Sequence, residues 1–244
     1  MTSQNVLIIG ASGGIGAELV KQLSQRQDIS EIHGVTRQLF TSKLENVFYH
    51  QAQSTQPQQI IEVCDKLKTR GPFGLVICCI GALHGEQNGV ELQPEKRLED
   101  ISVQQLESYF KTNSIAPMLW LQHLMPLVKS QQKAQIVLLS ARVASITDNR
   151  LGGWYGYRAS KAALNMLIKT AQVEYQRRAK NVELVSYHPG TVDTHLSKPF
   201  QANVADDKLF TPQYTVSQLL SHLKTLDIAN APHYIDWDNQ TIPW

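Results

Sequence analysis

Tyr157 and Lys161 stand four residues apart in the run Tyr157, Arg158, Ala159, Ser160, Lys161. In an α-helix that spacing stacks two side chains on one face, so a phenol and an ammonium group would lie side by side. A tyrosine hydroxyl ordinarily titrates near ~10 and exchanges protons poorly at neutral pH, whereas a fixed neighbouring cation favours the phenolate and lowers that value. A tyrosine tuned this way could pass a proton to or from an oxygen on a reacting carbon. The same spacing also occurs on solvated helix faces, where it means only an exposed lysine beside a half-buried ring. The rest of the chain has to decide between the two.

A second stretch with chemical potential lies at the start. The apolar run Val6 to Ile9 leads into Gly10, Ala11, Ser12, Gly13, Gly14, Ile15 and Gly16, and an amphipathic segment continues from Ala17 to Arg26. Strand, glycine turn and helix is the natural reading. The glycines, ordered GxxxGxG, let the chain turn tightly and let a pyrophosphate approach the helix N-terminus, whose unpaired N–H groups and dipole favour an anion. Close packing of a helix on a strand is the alternative use of the same glycines. A second strand, Glu31 to Thr36, ends at Arg37 with no Asp or Glu beside it. An acid there would accept from ribose hydroxyls, while a base suits a 2′-phosphate, so Arg37 points to NADP(H) over NAD(H). A plain surface arginine is the competing reading.

The elements that must position these groups alternate. A third strand is predicted at Asn46 to His50, a helix over Gln58 to Lys68, and a strongly apolar strand from Phe73 to Ile80 that closes on Gly81. Ala82 to Pro94 reads as a loop. Ser102 can cap a helix through Asn113, a core-facing amide that needs partners and serves either as a structural hydrogen-bonder or in a proton path. Pro117 interrupts the pattern before Leu119 to Val128 resumes. Ala134 to Ser140 is a strand ending in a hydroxyl. The helix carrying Tyr157 and Lys161 comes next, with an apolar face of Ala162, Ala163, Leu164, Leu167, Ala171 and Val173. Val182 to His188 is another strand, succeeded by Pro189, Gly190, Thr191, Val192, Asp193 and Thr194. The aperiodic stretch to Phe210 reads as a lid or substrate loop over about 193–210, Thr215 to Leu226 as a surface helix, and His233 to Trp237 as an edge strand. This alternation predicts an α/β fold: a single Rossmann-type, doubly wound parallel sheet with helices on both faces, in one dinucleotide-binding domain over residues 1–244. Its ligands would bind at the carboxyl ends of the strands.

Composition narrows the function classes. The 244 residues are 42% hydrophobic and 18% charged with a net charge of +2, and the basic residues are scattered, so no nucleic-acid or anionic membrane partner is implied. Cys64, Cys78 and Cys79 lack metal-ligand spacing and read as reduced packing residues of a cytoplasmic protein, with no metal. The segment Met1 to Asn5 is short and polar, and no stretch is long and apolar enough to span a bilayer. Met118, Leu119, Trp120, Leu121 and Leu124 are apolar all around their helix, which fits either a homodimer or homotetramer interface or deep burial in one chain.

Five pieces fall in order: the turn at Gly10, Gly14 and Gly16, the helical Asn113, the strand-end Ser140, the Tyr157/Lys161 pair and the Pro189 to Thr194 segment. Together they resemble the short-chain dehydrogenase/reductase family over roughly residues 5–236. The phrases LSARVAS, YRASKAALN, HPGTVDT and WDNQTIPW are most similar to its C-factor-like and carbonyl-reductase-like subgroup. The resemblance implies an NADP(H)-preferring oxidoreductase for a small carbonyl or alcohol. Tyr157 would be the general acid or base, and Lys161 would lower its pKa and bind the nicotinamide ribose. Ser140 would bond the substrate oxygen, Asn113 would hold a water linked to Lys161, and Pro189, Gly190, Val192 and Thr194 would receive the carboxamide, with Gly10, Ser12, Gly14, Ile15, Gly16, Arg37 and Gly81 lining the rest of the cofactor site. The C-factor likeness also implies an alternative, a dinucleotide-binding signalling protein with little turnover. A fold using another cofactor, such as S-adenosylmethionine, shares only the glycine turn.

The sequence departs from the family at several points. Ile9 replaces a threonine, Gln51 stands where an acid is usual, and Cys78, Cys79, Ile80, Gly81 replaces Asn-Asn-Ala-Gly. Counted without gaps from Tyr157, the usual catalytic hydroxyl falls on Ala141, and Ser140 matches the preceding serine. One residue along a strand reverses the side-chain direction. Either the strand end is shifted so that Ser140 or Ser145 enters the site, with Ser140 favoured, or Tyr157 and Lys161 act alone.

Overall fold

Short apolar runs that can be buried on both faces make the sheet. In the computed structural model, which describes residues 3–244 apart from the side chain of Asn203, Val6, Leu7, Ile8 and Ile9 are all fully buried. Met1 and Thr2, part of the polar N-terminal segment, lie outside the described residues. Seven parallel strands pair in the order β3-β2-β1-β4-β5-β6-β7: β1 (Gln4–Ile9), β2 (Ile29–Thr36), β3 (Val47–Gln51), β4 (Phe73–Cys78), β5 (Ala134–Leu139), β6 (Val182–His188) and β7 (His233–Asp236). Chain direction reverses its lateral progress between β1 and β4, the switch point at which such sheets bind their ligands.

Alternation along each strand sends side chains to two cores. Leu7, Ile9, Val76 and Leu138 meet α2 (Pro57–Leu67), α4 (Ala116–Val128) and α5 (Tyr155–Arg178) on one face. Val6, Ile8, Ile77 and Val137 meet α1 (Gly14–Ser24) and α6 (Pro212–His222) on the other. The predicted doubly wound sheet is what the chain forms. Among the described residues no helix is long and apolar enough to cross a membrane.

Local departures from the expected elements have physical causes. Within Ala82 to Pro94 the chain makes an antiparallel hairpin, Gly85–Gln87 against Val90–Leu92, turned by Asn88 and Gly89, both at positive φ. That is the pairing an Asn-Gly turn favours. Ser102 does cap α3 (Val103–Phe110), accepting from Gln105 N at 3.3 Å. Pro117 does not break the helical path. Lys111–Ile115 widens into a π-type turn that carries the chain straight into α4, with Pro117 in its first turn where a missing N–H is tolerated. Trp120, Leu121 and Leu124 are buried in the core of this one chain, and Met118 and Leu119 pack partly buried against it. Deep burial therefore accounts for them. On α5 the buried face meets the expected one in part: Leu164 and Ala171 are buried, Val173 points outward at 48% exposure, and Tyr157, Ser160, Lys161, Asn165 and Ile168 also turn in.

The glycine turn tolerates no side chain at its close contacts. A Cβ on Gly16 would overlap the carbonyl oxygen of Gly10, whose own φ is +84°, and both belong to the same tight backbone. Gly16→Ala should destabilise the protein by about 1–3 kcal/mol, as overpacking does when the neighbour cannot move. A chemical denaturation midpoint compared with the parent measures it.

Candidate active site

A cleft of about 650 Å³ runs along the carboxyl edge of the sheet. At one end lie Gly13, Gly14, Ile15, Gly16 and Arg37; in the middle Gly81, Pro189, Gly190, Val192 and Thr194; at the other end Tyr157 and Lys161. The structure thus gathers most of the predicted site residues around one cavity. Gly10 shapes the turn from beneath, and Ser12 is exposed on its outside. A Cβ on Gly14 would come 2.6 Å from the methyl of Thr194, so the turn and the segment after β6 face each other across bare backbone. Arg37 is exposed at the end of β2, and no described acid pairs with its side chain. Gln51 donates to its carbonyl at 3.1 Å.

Tyr157 projects from the first turn of α5 into an apolar wall of Ala82, Leu83, Leu92, Tyr109 and Ala141. Its ring meets Tyr109 and Trp154 edge-on at centroid distances of 6.4 and 6.2 Å. Its hydroxyl bonds to no described residue. Lys161, one turn on, is buried and donates to the Leu139 carbonyl at 2.8 Å. A Cβ on Gly81 would lie 3.1 Å from Lys161 Nζ and 3.6 Å from Asn113 Oδ1, so these three groups converge.

Asn113 sits in the π-type turn and is saturated. Its Oδ1 accepts from Ala82 N at 2.8 Å, and its Nδ2 donates to Ala82 O at 3.0 Å and to Ser160 Oγ at 3.1 Å. The side chain acts as a brace between α5 and the chain after β4, answering the demand of a buried amide for partners.

Ser140 lines the same cleft as Tyr157 and Lys161, at the end of β5. Its hydroxyl donates to Asn165 Oδ1 at 2.8 Å, the acceptor that Ser186 Oγ also reaches at 2.6 Å, and it is buried. In this arrangement the Ser140 hydroxyl ties the end of β5 to α5. β5 ends at Leu139 with no shift of register, and the methyl of Ala141, two residues on, shares the apolar wall with Tyr157. Ser145 is buried and accepts from Asp148 N at 3.1 Å, and it is not among the residues lining the cleft. Tyr234 closes the strand end by donating to Ala141 O at 2.7 Å.

A sequence profile described as short chain dehydrogenase matches residues 4–205. The chain belongs to the short-chain dehydrogenase family. It is 29% identical over 132 residues to 1-hydroxy-2-glutathionyl-2-methyl-3-butene dehydrogenase of Rhodococcus sp., a match covering 54% of this chain and about half, 55%, of that protein. It is 25% identical to C-signal of Myxococcus xanthus over 60% of this chain and 83% of that one. An NADPH-bound carbonyl reductase from chicken fatty liver shares its fold with a TM-score of 0.84 at 22% identity, covering 100% of both chains.

The electrostatics of this short-chain dehydrogenase differ from what the Tyr157/Lys161 spacing alone suggests. Burial pushes the Tyr157 phenol upward rather than down, reinforced by the neighbouring Tyr234. The lysine cation, turned to Leu139 O, does not offset that effect. Burial also lowers Lys161, to about 8. His188, at the end of β6, lines the same cleft with a buried Nδ1 that has no described partner, and burial together with Arg142 takes it down to about 4.

Several participants lie outside the sequence motifs. Asn165 continues the Tyr157–Lys161 spacing by another four residues, so its place on the stripe is accessible from the sequence. His84 and His195 stack at 5.2 Å across the cleft mouth, and Phe200 packs on Trp154 at 5.2 Å, joining the 193–210 segment to the wall beside Tyr157. No local pattern marks those long-range pairs.

Lys161 yields a signed prediction. Its folded value of about 8 lies below the ordinary 10.5, so between those pH values the unfolded chain binds more protons and stability rises with pH. Below about 8 both states are protonated and the burial penalty is fully present. Thermal melts across this window should show the rise in the parent and not in Lys161→Met.

Proposed function

We propose that this short-chain dehydrogenase reduces a small carbonyl compound with NADP(H), Tyr157 supplying the proton. The observation that supports it is the single cleft joining a bare glycine turn and an unpaired Arg37 at one end to the Tyr157 hydroxyl at the other. The cofactor fits on the chemistry of this surface: Gly14 and Ile15 present the unpaired backbone N–H groups of the first turn of α1 to phosphate oxygens, while Gly13 N donates to Gly10 O at 3.1 Å, and Arg37 offers a cation where an acid would repel a 2′-phosphate. NADPH supplies a hydride when bound.

The chain's own residues do the rest. A phenol held upward by burial stays protonated at neutral pH, which suits a donor to the alkoxide that carbonyl reduction generates. Lys161, cationic below about 8, places positive charge beneath the site, and its ammonium can turn to ribose hydroxyls. Asn113 fixes Ala82 and Ser160 on either side. With Ser140 tied to Asn165, the reaction relies on Tyr157 and Lys161 without a strand-end hydroxyl. The apolar wall of Leu83, Ala141, Trp154, Leu196 and Phe200 supports an uncharged substrate. The free thiols of Cys64, Cys78 and Cys79 support a reducing, cytoplasmic setting.

The missing hydroxyl at Ala141 and the likeness to C-signal favour one alternative, a dinucleotide-binding regulator that binds NADPH and turns over slowly. Pairing of two chains is proposed through the groove between α4 and α5, lined by Met118, Met125, Ala171 and Tyr175, and light scattering reads it.

NADPH oxidation monitored by absorbance across a panel of aldehydes and ketones separates these readings. Reductase chemistry requires turnover that Tyr157→Phe lowers by about 10²–10⁴-fold while NADPH still binds. Unchanged turnover in that variant would sink the mechanism. Ser140→Ala should lower kcat by less than about tenfold, since it removes a brace and not a donor to substrate. Arg37→Glu should weaken NADPH by about tenfold or more and favour NADH, because it sets like charges together.

A further inference from the structure

α5 begins without a cap of its own. The residue before its first turn is Trp154, held in the left-handed region at φ 54° and ψ 45°, a conformation that strains a bulky side chain, and its side chain caps nothing. The first turn is gripped instead from outside. Trp154 N donates to the Glu95 carbonyl at 2.5 Å, and Gly156 N donates to Glu95 Oε2 at 3.1 Å. Glu95 is 1% exposed, and its second oxygen, Oε1, is buried with no described partner. A buried acid is costly to keep unless its position does something.

Gly156 shows how tight the grip is. A Cβ there would run into the Tyr109 ring and come 2.9 Å from Glu95 Oε1. The carboxylate, the Tyr109 ring and the helix start therefore share one packed contact, immediately before Tyr157. Trp154 in turn lines the cleft and lies edge-on to both Tyr157 and Phe200. Glu95 comes just after the hairpin of the 82–94 segment, so the clamp also ties that flank of the cleft to α5.

We propose that Glu95 is a positioning residue, whose carbonyl and buried carboxylate together hold the first turn of α5 and so set the places of Tyr157 and Trp154 in the cleft. A negative side chain at a helix N-terminus stabilises that turn, and the missing side-chain cap is supplied from 61 residues away along the chain. Glu95 acts through Tyr157 and Trp154 and touches no reacting atom. The inference rests on the reading of Tyr157 as proton donor only for its kinetic arm.

The test compares the full chain with Glu95→Ala and Glu95→Gln by amide hydrogen exchange, by NADPH dissociation constant and by kcat with the best-reduced aldehyde of the panel. In Glu95→Ala the amides of Trp154 to Tyr157 should exchange about tenfold faster or more, with the later turns of α5 unchanged. Its kcat should fall about tenfold or more while NADPH binds within about twofold of the parent, because a small displacement of a reacting group is expensive and the nucleotide end is untouched. Glu95→Gln keeps an acceptor for Gly156 N and should recover both readings to within about threefold. Unchanged exchange of the first turn in Glu95→Ala overturns the clamp. A loosened turn with kcat within about twofold of the parent overturns the positioning role. If Glu95→Ala does not fold, Glu95→Asp, which keeps the charge and withdraws the acceptor by one methylene, takes its place under the same criteria. If the parent reduces no panel member, the reading of Tyr157 fails separately, and hydrogen exchange alone decides whether Glu95 holds the turn.

Discussion

One face of α5 carries a row of hydrogen-bonding side chains into the carboxyl edge of the sheet, and the site depends on that row being satisfied. Tyr157, Ser160, Lys161 and Asn165 are all buried, at spacings of three and four residues. Buried polar groups without partners would expel the helix from this position. Three of these residues bond different neighbours: Ser160 with Asn113, Lys161 with Leu139 O, and Asn165 through its Oδ1 with Ser140 and Ser186, its Nδ2 having no partner among the described residues. Tyr157 alone leaves its hydroxyl toward the cleft. The arrangement ties the helix to the turn before α4 and to the ends of β5 and β6 at once, and leaves the Tyr157 hydroxyl without a bond to any described residue.

That economy explains the electrostatics. The features that order the row, burial and dense packing, are also those that raise the phenol and lower the lysine. Lys161 donates one of its three ammonium protons to the Leu139 carbonyl, and burial dominates the Tyr157 phenol. Burial consequently favours the protonated phenol at Tyr157 over the phenolate. Any change that redirects the Lys161 ammonium toward Tyr157 would reverse that bias, because at short range in a poorly solvated site the charge acts strongly.

Strand and helix order is legible in the sequence because it rests on composition within short windows: apolar runs buried on both faces, glycines at a strand end, a Ser102 cap. The Asn88-Gly89 hairpin is equally local and still reads as loop, since its flanking strands are three residues each and mostly half-buried, giving little alternation. Val173 reads as inward when apolar identity stands in for geometry, whereas the buried stripe on α5 mixes Leu164, Ile168 and Ala171 with Ser160, Lys161 and Asn165, which are placed by their hydrogen bonds. Ser140 turns on a single residue of register. Type and position suggest a strand-end hydroxyl, but the direction of its side chain depends on Asn165, 25 residues away, and no local pattern encodes that. Glu95 is invisible for the same reason, being one more acid in a polar stretch until the fold brings it against Gly156.

Loss of a second donor at residue 141 has a consequence for how a substrate could be held. A hydroxyl and a phenol together fix both the place and the angle of a carbonyl oxygen, while one phenol fixes little more than distance. Orientation must then come from surface contact, and the cleft supplies it: Trp154 and Phe200 meet at 5.2 Å beside Tyr157, with Leu83, Leu196 and the Ala141 methyl completing the wall. An apolar enclosure also lowers the local dielectric, so the single hydrogen bond from Tyr157 is stronger there than it would be in water. Exchanging a donor for a methyl is therefore compatible with catalysis only if the wall is rigid. Trp154, in the left-handed region, donates its N–H to the Glu95 carbonyl at the start of α5, so the wall beside Tyr157 and the buried Glu95 meet at the same turn.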